Sequence, residues 1–143
     1  MTVRDTTGIV WLCLSCCLCA GCSKSELPAK VVYGTVAVKD QQVKIGEIVF
    51  VPIDGTKGPT SVSDITEGSY RMETRGGVPL GTHRVEVVAK RKTGRKVPGG
   101  PEGNLVDEII TIGPAIYATE ASPLTLKLTP SSDGEFNVNI PAK

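Results

Sequence analysis

Glycine and proline fix what this chain is able to fold into. Residues 22–143 contain 14 Gly and 10 Pro, about a fifth of that segment, spaced so that no interval between them holds a long helix. The same segment carries 15 Val, 9 Ile and 11 Thr against 6 Leu and 7 Ala. β-Branched residues lose little χ1 freedom on a pleated surface and more in a helix, so this composition favours strands.

Alternation of apolar and polar residues locates seven of them. They are Val31–Val38, Gly46–Ile53, Thr60–Thr66, Ser69–Thr74, Thr82–Arg91, Leu124–Leu128 and Phe136–Ile140. Glu67-Gly68 is the expected hairpin turn between the third and fourth, with Tyr70 and Met72 on one face of the fourth. In the fifth, His83, Val85, Val87 and Ala89 share a face; in the sixth, Leu124, Leu126 and Leu128 do. Many short strands in one chain of this length predict an all-β fold, a seven-stranded antiparallel β-sandwich over residues 31–143 with a single modest core. Residues 93–123 lack clear alternation and carry Pro98-Gly99-Gly100-Pro101, so they read as a long loop. Leu105–Ile112 within it fits a short strand or a helical turn equally.

The N-terminus is a different object. From Thr6 to Ser23 no side chain is charged, and Gly8–Ala20 is mostly apolar. A run of this length is short for a membrane-crossing helix, which needs about 20 apolar residues, and fits a cleaved signal peptide. All five cysteines (Cys13, Cys16, Cys17, Cys19, Cys22) fall in this region, so no disulfide framework is able to staple the rest of the chain. The Cys13-x-x-Cys16 and Cys19-x-x-Cys22 spacings match paired zinc knuckles, but a continuous apolar run lacks the polar, Gly-rich turns that a knuckle requires.

Leu18-Cys19-Ala20-Gly21-Cys22 resembles a bacterial lipobox, two small residues ahead of a cysteine at the end of an apolar stretch. The resemblance implies that residues 1–21 are a lipoprotein signal peptide and that the Cys22 thiol is acylated. Residues 22–30 then become the acylated cysteine and a polar tether holding the domain to a membrane. The eight residues 23–30 span at most about 28 Å when extended. Ser23, rather than Asp, after that cysteine implies an outer-membrane destination in the bacterial cell envelope.

Several short motifs follow in a fixed order. They are Val32-x-Gly34-x-Val36, Val49-Phe50-Val51-Pro52, Glu67-Gly68-Ser69-Tyr70, Val78-Pro79-Leu80-Gly81, His83-x-Val85-x-Val87, and Tyr117 with Ser122-Pro123-Leu124-Thr125. Together they resemble the carboxypeptidase-regulatory-like, transthyretin-like domains of small planctomycete lipoproteins. That resemblance implies a prealbumin-like sandwich and no defined activity. His83 stands where the family pattern usually has Tyr. The motifs are also explained by folding: Gly34 for close packing, Pro52 ending a strand at an edge, Gly68 in a turn, and Pro79 with Gly81 shaping a corner.

The residues offer little for catalysis. The sole histidine, His83, is in phase with Val85 and Val87 and reads as a packing residue. No serine sits in a GxSxG elbow. A hydroxyisourate hydrolase of the transthyretin-like group uses several His and Arg residues and a YRGS-type tail, whereas this chain ends Ile140-Pro141-Ala142-Lys143. Asp54, Asp64, Glu67 and Asp133 form no calcium-loop run, so neither a metal nor a cofactor is expected.

Sixteen Lys and Arg against fifteen Asp and Glu give a formal net charge of +1, no field for drawing in nucleic acid. The one concentrated charge feature is Lys90, Arg91, Lys92, Arg95 and Lys96, a candidate contact for an anionic ligand such as an envelope polysaccharide, or for a protein. No aromatic interrupts it, which argues against base stacking. The reading is therefore a lipid-anchored, non-catalytic envelope domain with a structural or interaction role, with a carbohydrate- or anion-binding module as the alternative.

Overall fold

The computed structural model describes residues 27–99 and 103–141. The order is β1 (Ala29–Lys30), β2 (Val32–Val38), β3 (Gln41–Gln42), β4 (Ile45–Ile53), β5 (Ser61–Thr66), β6 (Ser69–Met72), β7 (Val78–Pro79), β8 (Gly81–Pro98), β9 (Leu105–Ile112), β10 (Thr125–Leu128) and β11 (Val138–Ile140). Single 3-10 turns lie at Thr74–Gly76 and Ala115–Ala118. The described chain is all-β, and its pairings are antiparallel apart from β11, which runs parallel to β2.

Hydrogen-bonded neighbours run β10-β8-β4-β5-β6-β2-β11, with β3 on β2 and β9 on β8, while β1 and β7 form a separate pair. The path is weakest between β5 and β6, whose only pair in register is Thr66 with Ser69 beside the turn. The two strands then part, β5 staying with β4 and β6 with β2. Ile48, Phe50 and Ile65 on one side of that corner and Val32, Val36, Tyr70, Met72, Val138 and Ile140 on the other all enter one buried cluster. One apolar face per strand meeting in one core makes the arrangement sandwich-like, two layers folded over at β5–β6. Phe50 meets Tyr70 across the layers, ring centroids 6.0 Å apart and planes at 42°. Each such fully buried side chain removes enough apolar area from water to contribute about 1.5–3 kcal/mol.

The C-terminal strand is held by the Phe136 backbone. Its N–H donates to the Tyr33 carbonyl at 2.9 Å and its carbonyl accepts the Tyr70 hydroxyl at 2.8 Å. Burial pushes the Tyr70 hydroxyl well above its ordinary pKa, so it stays a donor. The same carbonyl sits directly against Gly34, where a Cβ would collide with it. Glu67 and Gly68 both have positive φ, 49° and 82°, the mirror-image turn whose twist matches a hairpin. Pro52 lies beyond the last β4–β5 pair, Phe50 with Ser61, so its missing N–H falls on an unpaired edge.

Two expectations change. The loop anticipated at residues 93–123 contains two stretches of strand: β8 runs on to Pro98, and β9 covers Leu105–Ile112. The Val/Ile-rich run Leu105–Ile112 pairs back onto β8 and takes the strand alternative. Docking also begins earlier than residue 31, because Ala29–Lys30 pairs with β7 and the Pro28 carbonyl accepts the Leu80 N–H at 2.9 Å.

Gly34→Ala should destabilise the domain by about 1–3 kcal/mol, since the β2 backbone and the Phe136 carbonyl must separate to admit a methyl group. A lowered urea midpoint with unchanged slope is the expected result, and an unchanged midpoint would contradict the close approach.

Candidate functional site

The five cations expected as a site all lie where β8 leaves the body of the fold. β4 accompanies β8 only as far as the pair Ile45–Lys90. β9 joins β8 on the other side at Ala89–Ile112, and beyond Lys90 β8 is paired with β9 alone, from Arg91–Ile110 to Pro98–Leu105, forming a two-stranded ribbon. Directly opposed residues share a face. Lys90, Lys92 and Lys96 therefore lie with Thr111, Ile109 and Asp107 on one face, and Arg91 lies with Ile110 on the other.

The ribbon is kinked by a bulge. Lys92 opposes Ile109 and the next pair is Lys96 with Asp107, so Thr93, Gly94 and Arg95 face the single residue Glu108. Gly94 takes φ +84°, which lets the extra residues loop out. Glu108 meets the bulge with its carboxylate: Thr93 Oγ1 donates to Oε2 at 2.6 Å, and Arg95 Nε lies 3.8 Å from the same oxygen. Asp107 bridges the two ends of the bulge, its oxygens 2.8 Å from Lys92 Nζ and 2.5 Å from Lys96 Nζ. Hydrogen bonds from Lys92 and Lys96, reinforced by their charge, hold the Asp107 carboxyl at about 2. The Asp107 hydrogen bond and charge in turn raise the Lys92 pKa.

The cluster is consequently half neutralised. Lys92, Arg95 and Lys96 are engaged with Asp107 and Glu108, whereas Lys90 and Arg91 have no carboxylate partner among the described residues. Five cations against two carboxylates leave the described ribbon at +3. A notch of about 400 Å³ opens where the ribbon departs, lined by Lys44, Ile45, Ile65, Thr66, Glu67, Arg91 and Lys92. Lys44 is a site residue that the run of cations does not reveal, since it is far away in sequence. It arrives because Ile45 pairs with Lys90, and its ammonium lies 3.5 Å from the Glu67 carboxylate. The signal that finds it is the antiparallel pairing of two alternating strands.

A larger groove of about 740 Å³, lined by Leu27, Ala29, Val62, Met72 and Pro79 among others, lies at the opposite end, where the chain enters the fold. It contains no convergent titratable groups. His83 lies on β8 opposite Pro52 and Leu126 and is fully buried, with neither ring nitrogen hydrogen-bonded. Burial lowers its pKa, and a contact with the Gly81 backbone, outside hydrogen-bond geometry, pulls weakly the other way. An imidazole shut off from solvent on a core face packs and has no access to a substrate. Cys22, expected to carry lipid, lies outside the described residues, as do the signal peptide and most of the tether.

Among the described residues no group of three or more His, Cys, Asp or Glu side chains is placed to hold a metal, and no helix is long and apolar enough to cross a membrane. No protein-family model, curated protein or solved structure matches this chain.

Two predictions arise from these charges. Asp107→Asn frees Lys92 and Lys96, so the variant should elute from an anionic polymer column at higher salt than wild type; elution at the same salt would mean that the ion pairs do not restrain the ribbon's cations. His83 is the one histidine, and its folded pKa lies below the unfolded value of about 6.5. Stability is then complete above about pH 6.5 and declines as pH falls below it, where the unfolded chain binds the proton first. His83→Leu should remove that part of the decline in urea titrations, and parallel curves for the two proteins would contradict it.

Proposed function

We propose that this chain is a lipid-anchored, non-catalytic protein of the bacterial cell envelope, a prealbumin-like β-sandwich that presents an interaction ribbon away from the membrane. The observation that carries the reading is the opposition of two ends. The chain enters the fold through β1, which is seated on β7 immediately before β8 begins, and the ribbon forms at the other end of β8. With the lipid on Cys22, the tether pole faces the membrane and β8 carries the cations to the far side. The lipobox-like sequence supports the anchor, and the order of the β-strand motifs supports the kinship with transthyretin-like lipoprotein domains.

A second reading, binding of an anionic polysaccharide or similar ligand, is favoured by one observation. Lys90 and Arg91 carry no carboxylate partner among the described residues, and Arg91 lines the notch that also holds Lys44. Long, exposed, unneutralised cations attract polyanions in a salt-dependent way.

Cys22→Ser tests the anchor. In the native host the variant should move from the membrane fraction to the soluble fraction of the envelope, and a variant that stays with the membrane overturns lipid anchoring. Replacing Lys90, Arg91, Lys92, Arg95 and Lys96 together with Gln should lower the salt needed to elute the protein from an anionic polymer. Unchanged elution removes the second reading without touching the first.

A further inference from the structure

The two strands of the ribbon have opposite designs. On its free side β8 carries what keeps a strand edge from pairing: a bulge at Thr93–Arg95, a positive-φ glycine, and the charges of Arg91, Lys92, Arg95 and Lys96. β9 carries two charged residues on Leu105–Ile112, Asp107 and Glu108, and both are engaged by the cations of β8. It is unbulged, contains no Pro or Gly, and among the described residues no strand pairs with its outer edge. Half of the exposed large apolar residues of the described chain lie on it: Leu105 (63% exposed), Val106 (39%), Ile109 (49%) and Ile110 (38%). Alternation puts Leu105 and Ile109 on one face and Val106 and Ile110 on the other. This fold leaves aliphatic side chains on both faces of one edge strand only partly covered, and both faces would be flanked by an added strand.

We propose that the outer edge of β9 is a strand-addition site for an extended, acidic segment of a partner protein, one whose aliphatic and acidic residues come in successive pairs and so lie on both of its faces. The free N–H and C=O groups of every second β9 residue supply the ladder, and the four aliphatic side chains supply cross-strand contacts on both faces. The sign of the partner follows from charge. An added strand lies about 10 Å from β8, two strand spacings away. Side chains from Lys90 and Arg91 are long enough to meet a Glu of that strand part-way, one from each face of the ribbon. Neither cation has a carboxylate of its own among the described residues. A second copy of this chain is disfavoured on the same ground, because edge-to-edge pairing would bring two ribbons of charge +3 together. The site deepens the interaction role proposed above and rests on that role, but it does not depend on the anchor.

The test is fluorescence anisotropy with the full chain in detergent and a labelled octapeptide in which Val-Val and Glu-Glu pairs alternate, so that both kinds of side chain lie on each face. Two N-methylated versions, each blocked at one alternate set of residues, and a composition-matched peptide with the four Val and four Glu in separate blocks serve as controls. One methylated set should bind about ten-fold more weakly or worse than the parent, because that edge loses its donors, while the other set binds like the parent. The block peptide should be weak, and Ile109→Ser should weaken the parent and the methylated peptide that binds like it, leaving the block peptide unchanged. The outcome is independent of where Cys22 places the protein, so failure here leaves the anchoring result intact. Equal binding by all four peptides would mean charge attraction without strand addition, absence of binding would remove the site, and self-association of the chain through β9 would assign the edge to a second copy; each overturns the proposal.

Discussion

Every part of this fold depends on β8 remaining a single strand from Gly81 to Pro98. Its first half is paired on both sides, by β4 along its length and by β10 at its start, and buries His83, Val85, Val87 and Ala89. Its second half has lost β4 and β10 and keeps only β9. One backbone thus passes from the centre of a core to a two-stranded projection without a hinge. A two-stranded ribbon is marginal by itself in water, and this one is held because half of its longer strand is locked into the sandwich.

The charges follow from that geometry. Cations crowded on one exposed strand repel one another, and the Lys92–Asp107–Lys96 bridge offsets the repulsion while spanning the bulge. Solvent-exposed ion pairs contribute little stability individually, so their effect is mainly to fix which cations stay available. The carboxylates engage the outer part of the ribbon, and Lys90 and Arg91, nearest the core, remain unneutralised. Unpaired charge in the described ribbon therefore lies next to the body of the fold, where Arg91 lines the notch.

The sandwich was legible in the sequence wherever one face of a strand is buried, because burial on one side is what produces alternation. Val85, Val87 and Ala89, or Leu126 and Leu128, show it directly. The ribbon was not legible for the same reason. Both of its faces meet water, so nothing selects a period of two, and the three residues facing Glu108 shift the phase of what pattern there is. Pro98, read as part of the middle of a loop, is the last residue of β8. The cations at 90–96 were visible as a cluster, but their partition into paired and unpaired was not, since Asp107 and Glu108 reach them only through the hairpin register. Lys44 carries no signal until β4 and β8 are placed in register, and Cys22 rests on its sequence motif alone.

The account stands on β8 as a rigid connection between the tether pole and the ribbon. Its most direct test is the distance between a spin label at position 27 and one at position 98, measured by pulsed electron resonance in a chain whose natural cysteines are replaced by serine. A continuous strand, shortened by the bulge and by twist, predicts a narrow distribution centred at about 50 Å. A broad distribution, or one centred below about 30 Å, would mean that the ribbon folds back or moves independently, and would contradict it.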